Sequence, residues 1–117
     1  MDPLDWLERA ERDIDHAELS FEHKDDEWGL LACQQSAEKA LKAVCLKKGI
    51  GIMKVHDLML LGRKVDAPND VLVCCGLLNP FYTSSRYPDT PFTIDESTIA
   101  DALQSARVVV TWCKKQI

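Results

Sequence analysis

The stretch from Asp26 to Lys48 constrains the fold more than any other part of the chain. Leu30, Cys33, Ala37, Leu41 and Val44 recur at steps of three and four, which lays them along one side of an α-helix. Leu31 and Leu46 fall towards another side, so this helix needs cover on more than one face, as the central helix of a bundle does. Its end is marked by Lys47 and Lys48, cations suited to a helix C-terminus, followed by Gly49, which accepts a left-handed cap.

The remaining segments supply helices to surround it. Trp6, Ala10, Ile14, Ala17 and Phe21 form an apolar stripe over residues 4–23, with Asp2 and Pro3 as a cap and a first-turn proline. His56-Asp57-Leu58 begins a short helix ending near Val65, with Leu58, Leu61 and Val65 as its packing edge. The Ala67-Pro68-Asn69-Asp70 turn, read as carrying a good N-cap, leads into a fourth helix. On it Val71, Leu72, Cys75, Leu78, Phe81 and Tyr82 keep the period. Pro80 is expected to kink that helix rather than end it. The stretch from Ser84 to Pro91 is irregular and proline-punctuated. Asp95-Glu96-Ser97-Thr98 opens a last helix striped by Ile99, Ala102, Leu103, Ala106, Val109, Val110, Cys113 and Ile117. Val108 and Trp112 lie off that stripe and leave a second apolar edge, suited to a dimer interface. No strand pattern or repeat occurs. The expected fold is all-α: an up-and-down bundle of four long helices and one short one, with residues 1–117 forming a single domain.

Composition excludes several classes. An apolar share of 46% argues against intrinsic disorder, and no apolar run approaches the ~18 residues of a membrane span. The opening MDPLDWLERAERD is acidic and lacks the basic start and apolar core of a secretory signal, so a cytoplasmic address is expected. The five cysteines, Cys33, Cys45, Cys74, Cys75 and Cys113, have neither a disulfide framework nor metal-ligand spacing, and packing is their expected role. No metal and no cofactor is expected. Charge is uneven: residues 1–27 carry 11 acids against 3 bases, residues 28–64 carry 2 against 7, and residues 65–117 carry 6 against 4. The overall field, −5, does not draw nucleic acid, but the middle third has room for a local anion site.

One combination of motifs is more specific than any of its parts. Gln34-Gln35-Ser36-Ala37-Glu38-Lys39-Ala40-Leu41-Lys42-Ala43 lies on the central helix, His56-Asp57-Leu58 follows, and Arg86-Tyr87-Pro88-Asp89 comes after the helix carrying Tyr82. In this order, over nearly the whole chain, the sequence resembles the HEPN family, named for nucleotide binding in higher eukaryotes and prokaryotes. The resemblance implies a helical homodimer and a binding or interaction module. It also implies a minimal nucleotidyltransferase as partner, in pairs of toxin-antitoxin type, and binding of nucleotide or RNA. Many family members are metal-independent ribonucleases that use an Arg, four to six residues and then a His on one helix face. This sequence departs from that pattern. The required positions hold Pro91, Phe92 and Thr93 after Arg86, Trp112, Cys113 and Lys114 after Arg107, and Pro68, Asn69 and Asp70 after Arg63. Arg9 and His16 have the spacing, but on the acidic first helix, where the family does not carry the motif. A divergent ribonuclease using Arg86 and His56 from separate elements is therefore the alternative reading, not the leading one.

The candidate ligand-binding residues are Gln35, Lys39, Lys42, His56 and Arg86. Gln35, Lys39 and Lys42 share a helix face that suits a phosphate, or else a solvated face on which Glu38 and Lys42 form an i,i+4 pair. His56 either lines a cleft, where an imidazole exchanges protons near neutral pH, or packs locally beside the helix-capping Asp57. Arg86 offers a planar fork for phosphate, on the same side as Tyr82, or pairs with Asp89 to brace the turn.

Overall fold

A computed structural model describes residues 2–84 and 94–117, with Ser84 described by its backbone alone. The described residues form six helices: α1 (Pro3–Glu22), α2 (Asp26–Lys47), α3 (Leu58–Lys64), α4 (Asn69–Leu78), α5 (Phe81–Ser84) and α6 (Glu96–Lys115). Among them there is no strand.

The central position of α2 follows from its two apolar sides. It packs against each of the other five helices, most extensively against α1 and α6. Its expected stripe of Leu30, Cys33, Ala37, Leu41 and Val44 is wholly buried, and so are Ala40, Ala43 and Cys45 around it. From α1, Leu7, Ala10 and Ala17 enter the core, while Trp6, Ile14 and Phe21 close its margin. Leu58, Leu61 and Val65 plug one side and Ala102, Ala106, Val109, Val110 and Cys113 another. The ion pairs Arg107–Glu18 and Lys114–Glu11 run α6 antiparallel to α1.

The helix ends are built from the local sequence. Asp2 and Asp5 form a reciprocal capping box at the start of α1, with Pro3 as its first residue. Asp95 caps α6 through the amide and hydroxyl of Thr98. Three helices end in the same way. After α1, α2 and α3 the chain turns through a residue of positive φ, namely Lys24, Gly49 and Asp66. Each turn closes with the paired backbone bonds of a Schellman motif, as in Asp25 N–H to Ser20 C=O, Ile50 N–H to Cys45 C=O and Ala67 N–H to Gly62 C=O. Only the glycine announces its turn in the sequence.

Two expectations need correction. The fourth helix is broken by Pro80, not kinked: α4 stops at Leu78 and α5 restarts at Phe81. Proline has no N–H to offer the carbonyl of Gly76, so the ladder lapses there, and turn bonds from Tyr82 N–H to Asn79 C=O and Thr83 N–H to Pro80 C=O bridge the gap. The turn before α4 places Pro68 at the N-cap, with no side-chain cap bond. Val108 and Trp112 lie half-buried against the core beside α4, and with Val71 they line a groove at the surface.

Candidate functional site

Along α2, Gln34, Glu38 and Lys42 are spaced four apart and so stack on one face. That face looks towards the 48–57 loop and α5, and all three residues are buried. Glu38 is the hub. Its Oε1 accepts from Gln34 Nε2 at 3.3 Å and lies 3.0 Å from His56 Nδ1, and its Oε2 accepts from Lys42 Nζ at 2.9 Å. A buried carboxylate needs this many donors and a compensating cation to offset its desolvation. Gln34 also donates to the backbone carbonyl of His56 at 3.2 Å, which ties the loop to the helix a second time.

His56 is the outward member of the cluster, its side chain 50% exposed. Its ring stacks on Tyr82 of α5, with centroids 4.2 Å apart and planes 17° from parallel. Beside the pair lies a groove of about 360 Å³ lined by His56, Asp57, Asn79, Pro80, Tyr82 and Thr83. The groove wall is stiff. Asp57 accepts from the amides of Met59 and Leu60 as the N-cap of α3, and Asn79 donates to Asp57 while accepting from the Leu58 amide. The Asn79 amide, the Leu60 and Met59 N–H groups and the nearby Arg63 charge hold the Asp57 carboxyl below its ordinary value, against a smaller upward push from desolvation.

The five sequence candidates are therefore not one face. Lys42 and His56 meet through Glu38. Gln35 reaches the same cluster at one remove, donating to Gln34 Oε1 at 2.7 Å. Lys39 turns the other way and bonds Asp13 of α1 at 2.7 Å, beside a separate groove that Gln35 also lines, with His16, Trp28 and Leu31. Arg86, with the Arg86–Asp89 turn, lies outside the described residues. The Glu38–Lys42 pair, expected at best on a solvated face, is buried, with side chains 6% and 8% exposed. Gln34 and Glu38 are site residues that the sequence does not mark. Their spacing from Lys42 is visible, but an i,i+4 Glu–Lys pair reads the same whether water or a returning loop covers it. His16 and Arg9 are exposed on α1 and far in sequence from this cluster.

The cysteines do not join the site. Cys33, Cys45, Cys75 and Cys113 are buried free thiols. Burial pushes Cys33 and Cys75 up to about 12 and raises Cys45 and Cys113 as well, which makes them poor nucleophiles. Among the described residues no cluster of His, Cys, Asp and Glu is arranged to hold a metal ion, and no helix is long and apolar enough to cross a membrane.

Fold and site together define a small helical bundle with a buried polar spine that surfaces at a histidine–tyrosine pair. The chain belongs to the HEPN domain family, whose model matches residues 4–116. The crystal structure of TT1696 from Thermus thermophilus superposes with a TM-score of 0.89 at 28% identity, covering 100% of both chains. That of ST0689, an archaeal HEPN homologue, superposes with a TM-score of 0.84 at 30% identity, covering 99% of this chain and 98% of the other. No curated protein matches the sequence.

Proposed function

We propose that this chain is a binding and interaction module that takes a nucleotide or RNA at the His56–Tyr82 groove. In this reading residues 1–117 act as one cytoplasmic domain, working as a homodimer beside a minimal nucleotidyltransferase in a toxin-antitoxin-like pair. The observation that carries it is the exposed His56 ring, held edge-on by Glu38 and flat against Tyr82 at the mouth of a groove. A half-exposed imidazole with that much support has been held in place for something outside the core. Flat rings suit bases, and Arg86, two residues beyond α5 in the sequence, supplies a cation for phosphate. The partner and the pairing rest on family membership. Calorimetry with ATP, GTP and a short single-stranded RNA tests the ligand. Saturable binding to the wild type, weakened at least tenfold by His56→Ala and by Arg86→Ala, is expected, and absence of binding to all three removes the ligand reading. Co-purification with a nucleotidyltransferase encoded by a neighbouring gene tests the partner.

A second reading is favoured by one contact. An imidazole whose Nδ1 is held by a buried carboxylate is the arrangement of a general base. A divergent ribonuclease using His56 and Arg86 would use it so. Digestion of RNA by the wild type and by Arg86→Ala decides the matter, because equal or absent activity in both eliminates the enzyme.

A further inference from the structure

The two nitrogens of the His56 ring stand in different surroundings. Nδ1 lies 3.0 Å from Glu38 Oε1. An ionised carboxylate only accepts, so the hydrogen in that contact belongs to Nδ1. Glu38 is not free to swing away, since Lys42 Nζ holds its other oxygen at 2.9 Å and Gln34 Nε2 shares Oε1 at 3.3 Å. The ring is fixed in its plane by the Tyr82 stack, and its backbone by the Gln34 bond to the His56 carbonyl. With Nδ1, plane and backbone all determined, Nε2 is the ring atom left to address a ligand, on a side chain 50% exposed.

We propose that Glu38 is a positioning residue that holds His56 as the Nδ1–H tautomer, so that the neutral ring presents Nε2 as an acceptor to a hydroxyl donor of the ligand, such as a ribose hydroxyl. The inference rests on the reading of His56 as the ligand-facing residue. It adds a direction to that reading: the ligand must bring a donor, and a group that can only accept meets a bare Nε2 and binds less well. Lys42 has a supporting part. Its ammonium holds the other oxygen of Glu38 in place at 2.9 Å, and it does not itself face the ligand, being 8% exposed. The 3.0 Å contact sets the hydrogen on Nδ1 even if Glu38 does no more than pack, so the tautomer tests the contact and the response of Nε2 to a ligand tests the positioning role.

The test is imidazole nitrogen NMR on the full chain, at a pH where His56 is neutral, in the wild type and in the double variant Glu38→Leu/Lys42→Met. That variant replaces the buried pair by apolar side chains of similar size and so removes the acceptor without stranding a charge. The wild type is expected to show a protonated Nδ1 and an unprotonated Nε2. The double variant is expected to revert to the Nε2–H form that an unconstrained histidine side chain prefers. Should the double variant fail to fold, the single change Glu38→Gln is read instead and should move the population in the same direction. A wild type with its hydrogen on Nε2, or a tautomer unaltered by the substitutions, overturns the proposal. Adding ATP to the same samples separates the two readings. A wild-type Nδ1–H ring whose Nε2 signal ignores ATP removes the ligand-facing reading and the positioning role with it. A response to ATP from an Nε2–H ring keeps the ligand-facing reading and overturns the tautomer.

Discussion

Glu38, in the middle of α2, and His56, in the loop that returns to it eighteen residues later, meet through a 3.0 Å contact between Oε1 and Nδ1. This contact joins the buried spine of the bundle to its surface. One end of it is a carboxylate paired to Lys42 inside the core, and the other is an exposed ring stacked on Tyr82. A buried ion pair and an exposed ring thus meet in one contact, and the two are separable by substitution.

Removing only one member of the buried pair should be severe. Glu38→Ala strands the Lys42 ammonium in the core and leaves Gln34 short of an acceptor. A loss of roughly 3–5 kcal/mol in urea-unfolding free energy is expected. Glu38→Leu/Lys42→Met should stay within about 1 kcal/mol of the wild type, since apolar replacements of a buried pair are often neutral. A double variant as unstable as the single one would show that the pair contributes more than charge balance.

The three left-handed turns give an ordered set of stabilities. Lys24 and Asp66 have φ of 60° and 57°, and Gly49 has 77°. A side chain in this conformation costs roughly 1–2 kcal/mol, partly offset in glycine by its larger loss of backbone freedom. Lys24→Gly should therefore raise the unfolding free energy by about 0.5–1 kcal/mol, and Gly49→Ala should lower it by about 1 kcal/mol. Thermal or chemical denaturation of the two variants checks the opposite signs.

Asp57 sets a pH dependence. Its carboxyl is held below the ordinary 3.8, first by Asn79 and then by the α3 amides. The folded pKa is lower than the unfolded one, so the stabilisation is complete above about pH 4 and fades as pH falls towards the lowered folded value. Asp57→Ala should cost about 1 kcal/mol at pH 6, as the loss of a helix cap does. The gap to the wild type should narrow below pH 3.8 in denaturation series at stepped pH. A gap that widens on acidification would have the wrong sign.

Thiol labelling reports the core directly. Cys33, Cys45, Cys75 and Cys113 are buried and Cys74 only half so. Under native conditions iodoacetamide, followed by mass spectrometry, should modify Cys74 ahead of the other four, which react once the chain unfolds. Rapid modification of Cys113, wholly buried on the core side of α6, would contradict this packing.

Much of the architecture is legible because it is written in local periodicity. The two-sided apolar pattern around Leu30 and Leu31 is enough to make α2 central, and the Asp2 and Asp95 caps lie where residue type places them. The break at Pro80 was harder to read, because Phe81 and Tyr82 keep the helical period across a missing N–H. The Lys24 and Asp66 turns were silent, since neither residue type favours positive φ as strongly as glycine does. The site was only half legible. Lys42 and His56 carried chemical signals of their own, but Glu38 acquires its role only when the loop folds back and excludes water from it. Lys39, three residues before Lys42, shares its face by helical spacing, and spacing alone does not say that Asp13 of α1 lies within reach.

Whether a ligand binds where the spine surfaces is read by mapping amide and side-chain NMR shifts on adding ATP or a short RNA. The largest changes should fall at His56, Asp57, Asn79, Tyr82 and Thr83, fading towards the Lys39–Asp13 side of the bundle. Shifts centred on Trp28, Gln35 and Lys39, or none at all, would contradict it.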